Sequence, residues 1–228
     1  VVDPRDIGLS KRADIHLKLK PGTNVAFANG MMNVIINEGL ADEEFIKTRT
    51  EGFEELKEIV KEYTPEKVAE ICHIDPDHLR EAALMYAKAK KAPIIYCLGV
   101  TEHSTGTEGV MSMSNMAMLV GKLGRSGCGV NPLRGQNNVQ GACDMGALPT
   151  DYPGYQKVFD PSAQERFEKA WGAALSPNKG LTVTDTIPAI LDDKIKLLYI
   201  MGENPAVSDP DTAHVEQALT KAFVVVQD

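Results

Sequence analysis

The chain has 228 residues, 43% hydrophobic and 25% charged, a composition suited to one large globular domain or two small ones. Its formal net charge of −8 and pI near 5.2 argue against general affinity for nucleic acid or an anionic membrane surface. No apolar run approaches the roughly 20 residues that span a bilayer, and nothing at the start reads as a signal peptide, so direct membrane insertion is not expected.

Val1-Val2-Asp3-Pro4-Arg5 reads as the tail of a buried strand running into a turn. Ile15 to Lys20 alternates apolar and polar residues and predicts a short strand ended by Pro21-Gly22. From Val25 to Leu40 the apolar residues follow helical spacing, and Thr23 or Asn24 is placed to cap that helix. Further helices are predicted over Glu51–Tyr63 and Pro65–Ile71, the second capped by Thr64 with proline at its first position, and from Asp75-Pro76 to Lys90. Pro93 to Leu98 is a continuous apolar run of strand length, as in a parallel sheet covered on both faces. A turn, Gly99 to Glu102, follows, and then a helix over Thr107–Leu123 whose Met111, Met113, Met116 and Met118 read as core.

Residues 124–156 are rich in glycine with little periodicity, the pattern of a functional loop or a domain crossing. Beyond them come helices over Ser162–Trp171 and Thr184–Leu191, a buried strand Ile195–Met201, a helix Asp211–Ala222 and a last strand Phe223–Val226. Strands alternating with helices imply an α/β architecture with parallel sheets. The chain has no initiator Met, and both ends fall where a sheet should continue, so it reads as an internal piece of a longer protein. The cysteines Cys72, Cys97, Cys128 and Cys143 form no CxxC pair; they imply neither a disulfide scaffold nor a closed zinc site and read as mostly buried apolar side chains.

In open α/β sheets ligands sit outside the carboxyl ends of the strands. Four such ends are polar or glycine-rich here: Asp3-Pro4-Arg5, Gly99 to Glu102, Gly202-Glu203-Asn204-Pro205, and Gln227-Asp228. A fifth element, Pro21-Gly22-Thr23-Asn24, leads straight into a helix whose free amides could face a phosphate. With no GxGxxG and no GxxxxGK[ST], this pattern points to nucleotide binding spread over many loops. Of the histidines, His16 and His214 fall on predicted surface positions, His73 and His78 flank a helix start, and only His103 lies near the predicted site.

The stretch from Gly129 to Gly146, with Arg134-Gly135-Gln136-Asn137-Asn138 at its core, is similar to the signature of formate dehydrogenase catalytic subunits. These belong to the molybdopterin oxidoreductase superfamily. The resemblance also covers Asp3-Pro4-Arg5, Pro21 to Asn24, Thr50-Glu51-Gly52-Phe53, Tyr63 to Glu66, Asp151 to Tyr155 and Met201 to Pro205, in order along the chain. It implies two α/β domains that each hold one guanine dinucleotide of a bis-molybdopterin guanine dinucleotide cofactor carrying molybdenum or tungsten. Residues 1–136 would be the later part of one domain, and 137–228 an inserted part of the second.

By the same resemblance, Asp3, Pro4, Arg5, Gly22, Thr23 and Asn24 would hold one dinucleotide. Gly202, Glu203, Asn204, Gln227 and Asp228 would hold the other, Leu98, Gly99 and Glu102 would approach a pterin, and Gly135 and Gln136 would add cofactor contacts. Arg134 would be catalytic, binding formate. No residue here would ligate the metal, and a 4Fe–4S cluster would belong to an N-terminal part of the parent subunit. The remainder of that subunit, and separate electron-transfer subunits, are the implied partners; the cytoplasm is the expected compartment, with the periplasm open. Many relatives have Asp where Asn24 stands, which puts the strength of a guanine contact there in doubt. A nitrate reductase-like enzyme, a structural subunit that kept the fold without the cofactor, and a freestanding nucleotide-binding module remain as alternatives.

Overall fold

The computed structural model describes residues 1–228, which fall into two units, Val1–Gly135 and Gln136–Asp228. In the first, α1 (Asn24–Asn37) is followed by α2 (Glu43–Arg49), α3 (Phe53–Lys61), α4 (Pro65–Cys72) and α5 (Pro76–Lys88). Every residue of α1 from Phe27 to Ile35 is buried. A helix that is apolar all round belongs inside a protein, and α1 packs against α3, α4 and α5. Gly30 makes the approach close: a Cβ there would stand 2.9 Å from Val68 Cγ2 and 3.1 Å from Leu79 Cδ2. Buried Asn33 donates from Nδ2 to the Val60 carbonyl at 2.9 Å, satisfying an end group of α3 inside the core. Local chemistry sets the helix starts, with Asp42 accepting from the Phe45 N–H, Thr64 from that of Lys67, and Asp75 from those of Asp77 and His78.

The rest of this unit is a strand–helix–strand unit. β1 (Pro93–Tyr96) leads through the single turn α6 (Leu98–Thr101) to α7 (Gly106–Leu119), which returns to β2 (Gly129–Pro132). β2 pairs parallel with β1 in the register Pro93↔Gly129 to Tyr96↔Pro132. α7 packs on α1, and Met113 and Met116 lie in the shared core, with Met118 half-buried and Met111 exposed. Lys122 is 2% exposed, donates to the Ala87 carbonyl at 2.9 Å and lies 5.0 Å from the centre of the Tyr86 ring. It caps the last turn of α5 with a buried cation, where a helix carboxyl end favours positive charge.

The second unit opens with α8 (Val139–Asp144), capped by Asn138, and the short antiparallel pair β3 (Asp151–Tyr152) and β4 (Gln156–Lys157). Next come α9 (Pro161–Trp171), α10 (Val183–Leu191), β5 (Leu197–Met201), α11 (Pro205–Ser208), α12 (Thr212–Lys221) and β6 (Phe223–Gln227). β5 and β6 pair parallel in the register Leu197↔Phe223 to Met201↔Gln227, with α12 between them in sequence. α9 packs through an aromatic group in which Phe167 lies 4.7 Å from Tyr152 and 4.9 Å from Trp171, between ring centres.

The α/β class and parallel pairing hold, and several expectations need correction. Ile15–Lys20 is not a strand: only Leu17 bridges, parallel to Val2, so no strand ends near Arg5 either. Gly99 to Glu102 is not an open turn, because Leu98–Thr101 closes one turn of helix. The glycine-rich 124–156 segment carries β2, α8, β3 and β4, each too short to leave a period. Within this chain the apolar runs 93–98 and 195–201 leave Ile95, Leu197, Tyr199 and Met201 exposed. Of the cysteines only Cys72 is fully buried, and its burial pushes the thiol pKa up. His16 is half-buried, within hydrogen-bond distance of the Asp3 carbonyl at 2.9 Å.

Candidate functional site

In the first unit the predicted residues gather at the carboxyl ends of β1 and β2. The Leu133 N–H donates to the Tyr96 carbonyl at 2.7 Å, so the pairing continues one residue past the end of β2. That places the Leu98–Glu102 turn and Arg134 at the same edge of one parallel pair. Arg134 is exposed and takes part in none of the chain's ion pairs. Glycine at Gly99 and Gly135 is not required by the chain: both have ordinary φ, and nothing lies within 4 Å of where a Cβ would stand. Behind the turn the packing is tight instead, since a Cβ on Gly106 would sit 2.1 Å from the Thr101 carbonyl oxygen.

The Pro21-Gly22-Thr23-Asn24 element is joined to this edge. Its geometry follows from its sequence: the Thr23 N–H donates back to the Lys20 carbonyl, proline takes the second position and Gly22, at φ +86°, the third. The expected cap is absent. Thr23 occupies the position before α1, but its hydroxyl donates to the Lys20 carbonyl at 2.6 Å, so no side chain satisfies the first amides of α1. Asn24 is not a cap either; its Nδ2 donates to the Gly99 carbonyl at 3.1 Å, across 75 residues. Since that partner can only accept, Asn24 must present its amide nitrogen there. An aspartate could not make this bond. His103 Nε2 lies 3.1 Å from the same carbonyl.

Asp3, Pro4 and Arg5 form a separate turn. The Asp3 carboxylate accepts from the Arg5 N–H at 2.8 Å and from its Nε at 3.3 Å. The Arg5 backbone bond, then its guanidinium, hold the Asp3 pKa below the usual carboxylate range. This turn is hydrogen-bonded to Leu17 and His16 and to nothing in the Pro21–Asn24 turn.

In the second unit, Gly202–Asn204 and Gln227–Asp228 are brought together at the carboxyl edge of β5 and β6. The Gly202 N–H donates to the Gln227 carbonyl at 3.0 Å, with Gly202 at φ +63°. Tyr199 donates its hydroxyl to Gln227 Oε1, and Ser208 donates to Glu203 Oε1 at 3.2 Å. Glu203, Asn204 and Asp228 are exposed. A groove of about 280 Å³ lies elsewhere in this unit, lined by Val183, Ile187, Pro188, Leu191, Asp211 and His214, and contains none of the predicted residues. It is mostly apolar and lined by none of the residues at the strand ends, where ligands of open α/β sheets sit. Asp151 is 5% exposed, with Lys157 Nζ and Thr150 Oγ1 each 2.5 Å from its carboxylate; those two bonds, Lys157 first, hold its pKa low.

Sequence reasoning missed the Asn24–Gly99 link and the close approach at Gly106. The spacing Gly106-x-x-Gly109 at a helix start was the available signal for the second, since a Cβ on Gly109 would also crowd Val100, at 3.2 Å. No cluster of three His, Cys, Asp or Glu side chains is placed to hold a metal ion, and no helix is long and apolar enough to cross a membrane.

A family model described as molybdopterin oxidoreductase matches residues 1–228. The F420-dependent formate dehydrogenase subunit alpha of Methanocaldococcus jannaschii is 56% identical over 232 residues, covering 100% of this chain and 34% of its own length. Formate dehydrogenase H of Escherichia coli is 47% identical over 230 residues, with 100% of this chain and 32% of its own length covered. Among solved structures, acetylene hydratase from Pelobacter acetylenicus superposes with a TM-score of 0.70 at 26% identity, covering 100% of this chain and 34% of that one. The chain thus spans about a third of the length of the relatives it matches.

Proposed function

The chain belongs to the molybdopterin oxidoreductase family, and we propose that it is an internal segment of the large subunit of a formate dehydrogenase. Membership implies a molybdopterin cofactor carrying molybdenum or tungsten. The activity, substrate and partners proposed are those of the whole subunit, and the segment alone is inactive on this reading.

The residues at the strand ends fit such a group. Gly99 and Gly135 leave open space where a side chain would stand, so backbone can lie directly against a planar ligand. Asn24, having given its amide nitrogen to Gly99, keeps a carbonyl oxygen for a ligand N–H. The Arg5 side chain is 78% exposed and suits a phosphate. We assign Asp3, Pro4, Arg5, Gly22, Thr23 and Asn24 to one guanine dinucleotide of a bis-molybdopterin guanine dinucleotide. Gly202, Glu203, Asn204, Gln227 and Asp228 are assigned to the other, Leu98, Gly99 and Glu102 to a pterin, and Gly135 and Gln136 to further cofactor contacts. A 4Fe–4S cluster elsewhere in the subunit and separate electron-transfer subunits complete the proposal.

When bound, the cofactor takes up the two electrons released as formate becomes carbon dioxide and a proton. The observation that carries the reading is Arg134, an exposed guanidinium without an ion-pair partner, beside a strand end left open by Gly99. A guanidinium holds a small carboxylate by two parallel N–H bonds and stays charged at any working pH. Holding formate alone does not lower its barrier; fixing its C–H in line with the acceptor does. In the full-length, cofactor-loaded enzyme, Arg134→Lys keeps the charge and loses the two-pronged geometry. The expected fall in kcat/KM with a dye acceptor is at least about tenfold, roughly 1.4 kcal/mol. A variant fully loaded with metal that oxidised formate at the parent rate would make Arg134 structural.

A further inference from the structure

We propose that His103 is a positioning residue, which together with Asn24 fixes the Gly99–Val100 peptide and so holds the turn after β1 in its cofactor-facing conformation. The proposal rests on the reading above, in which this turn lies against the cofactor.

Three hydrogen bonds converge on that one peptide. Asn24 Nδ2 and His103 Nε2 each lie 3.1 Å from the Gly99 carbonyl oxygen, and the Val100 N–H donates to the Cys97 carbonyl at 3.0 Å. A carbonyl oxygen only accepts, so His103 carries hydrogen on Nε2. α6 is a single turn of four residues with no side-chain cap, too short to sustain itself, and it contains the residue type with the greatest backbone freedom. Something outside the turn must hold it. Gly106 blocks its movement toward α7, where a Cβ would already be 2.1 Å from the Thr101 oxygen. No atom lies within 4 Å of a Cβ position on Gly99, and the two side-chain donors tie the Gly99 carbonyl to groups outside α6. Asn24 ties it to the start of α1, and His103, half-buried, ties it from its own carboxyl side.

This arrangement distinguishes a hydrogen-bond donor at position 103 from a ring that merely fills space. His103→Phe keeps an aromatic ring and removes the donor; His103→Gln supplies an amide N–H with similar reach. In the full-length cofactor-loaded enzyme we expect His103→Phe to exchange the amide hydrogens of residues 98–102 about tenfold faster than the parent. Formate turnover should fall roughly threefold to tenfold in kcat with KM within about twofold, because Arg134 still binds formate while the cofactor edge is less well placed. The electron paramagnetic resonance spectrum of the bound metal should change as well. His103→Gln should restore all three toward parent values. The proposal fails if His103→Phe exchanges at the parent rate, or if both variants are equally impaired. It also fails if exchange accelerates while kcat and the spectrum stay unchanged, since the bond would then be a local one only. A parent enzyme that oxidised no formate, but whose exchange and metal spectrum still separated Phe from Gln, would uphold the positioning role and overturn the proposed activity.

Discussion

Gly99→Ala is expected to leave the cofactor-free subunit as stable as the parent, or slightly more so, while impairing cofactor loading and turnover. Gly99 lies within α6 at ordinary φ, and a methyl group there meets nothing within 4 Å. The folded state therefore loses no packing. The unfolded chain loses freedom, which favours alanine by about 0.4–1 kcal/mol. For a unit of this size that is a rise in Tm of roughly 1–4 °C. Gly106→Ala is the control, changing the same residue type seven positions along the chain. Its Cβ would stand 2.1 Å from the Thr101 oxygen and 2.9 Å from the Thr101 carbonyl carbon, both backbone atoms that cannot rotate away. Relieving that contact by roughly 1 Å of backbone movement costs about 1–3 kcal/mol, outweighing the same gain from the unfolded state. The two variants thus differ in the sign of the stability change. Thermal unfolding of the cofactor-free full-length subunit measures it, and metal content with formate turnover of the purified enzyme measures the rest. If Gly99→Ala loaded metal and turned over formate like the parent, no ligand would approach that backbone, and the assignment of the β1 end would be wrong. Destabilisation of the cofactor-free protein by Gly99→Ala would instead show that the space beside Gly99 is filled in the whole subunit.

Leu79→Ala, in a fully buried side chain packed on the Gly30 face of α1, should cost about 2–5 kcal/mol in urea unfolding; a loss below about 1 kcal/mol would mean that the α1–α5 contact contributes little. Asp75→Ala removes the acceptor for the Asp77 and His78 N–H groups and should cost about 1 kcal/mol by the same method, whereas no change would show that water replaces the cap. Asp151→Asn tests a pH effect. The Asp151 pKa is lowered from 3.8 in the folded chain, so its carboxylate adds stability that is complete well above 3.8 and is lost as pH falls through the lowered folded value. Parent and variant Tm should therefore differ most near neutral pH and converge below 3.8; a constant difference across that range would deny the ionised pair with Lys157 its role.

How much of the fold was legible depended on element length. α1, α5 and α7 run to 13 or 14 residues, long enough for the 3.6-residue period to repeat, and they were predicted within a few residues at each end. The caps Thr64 and Asp75 were readable because their signal is purely local, a hydroxyl or carboxylate followed by proline. α2, with only 7 residues, and the two-residue strands β3 and β4 carry no period to read. The Ile15–Lys20 alternation was misleading for a different reason. Leu17 and Leu19 are buried, so the pattern reports burial correctly. The partner segment, however, supplies a single bridge at Val2 before Pro4, which cannot donate to a ladder.

The site divides along a related line, between what a strand end shows locally and what tertiary contacts add. Gly99, Gly202 and Gln227 could be placed at carboxyl ends of strands from apolar runs alone, because a turn after a buried strand is visible in composition. The role of Asn24 could not, since it depends on a carbonyl 75 residues away. That contact also recasts what asparagine, rather than the aspartate expected from the family resemblance, does at this position. Read from sequence, Asn24 is a weakened guanine acceptor; in the fold its amide nitrogen is already committed to Gly99, and only one oxygen remains for a ligand. An aspartate there would have both oxygens free but would face the Gly99 carbonyl with a negative charge, so the turn after β1 would need a different restraint. His103, within hydrogen-bond distance of the same oxygen, would then be the one side-chain donor left on it. Asn24→Asp should therefore loosen the turn partly while His103 is present and sharply in combination with His103→Phe. In amide exchange of residues 98–102, the double variant should exceed the product of the two single effects. Strict additivity would mean that the two donors hold the carbonyl independently, and that the coupling drawn from their shared acceptor is absent.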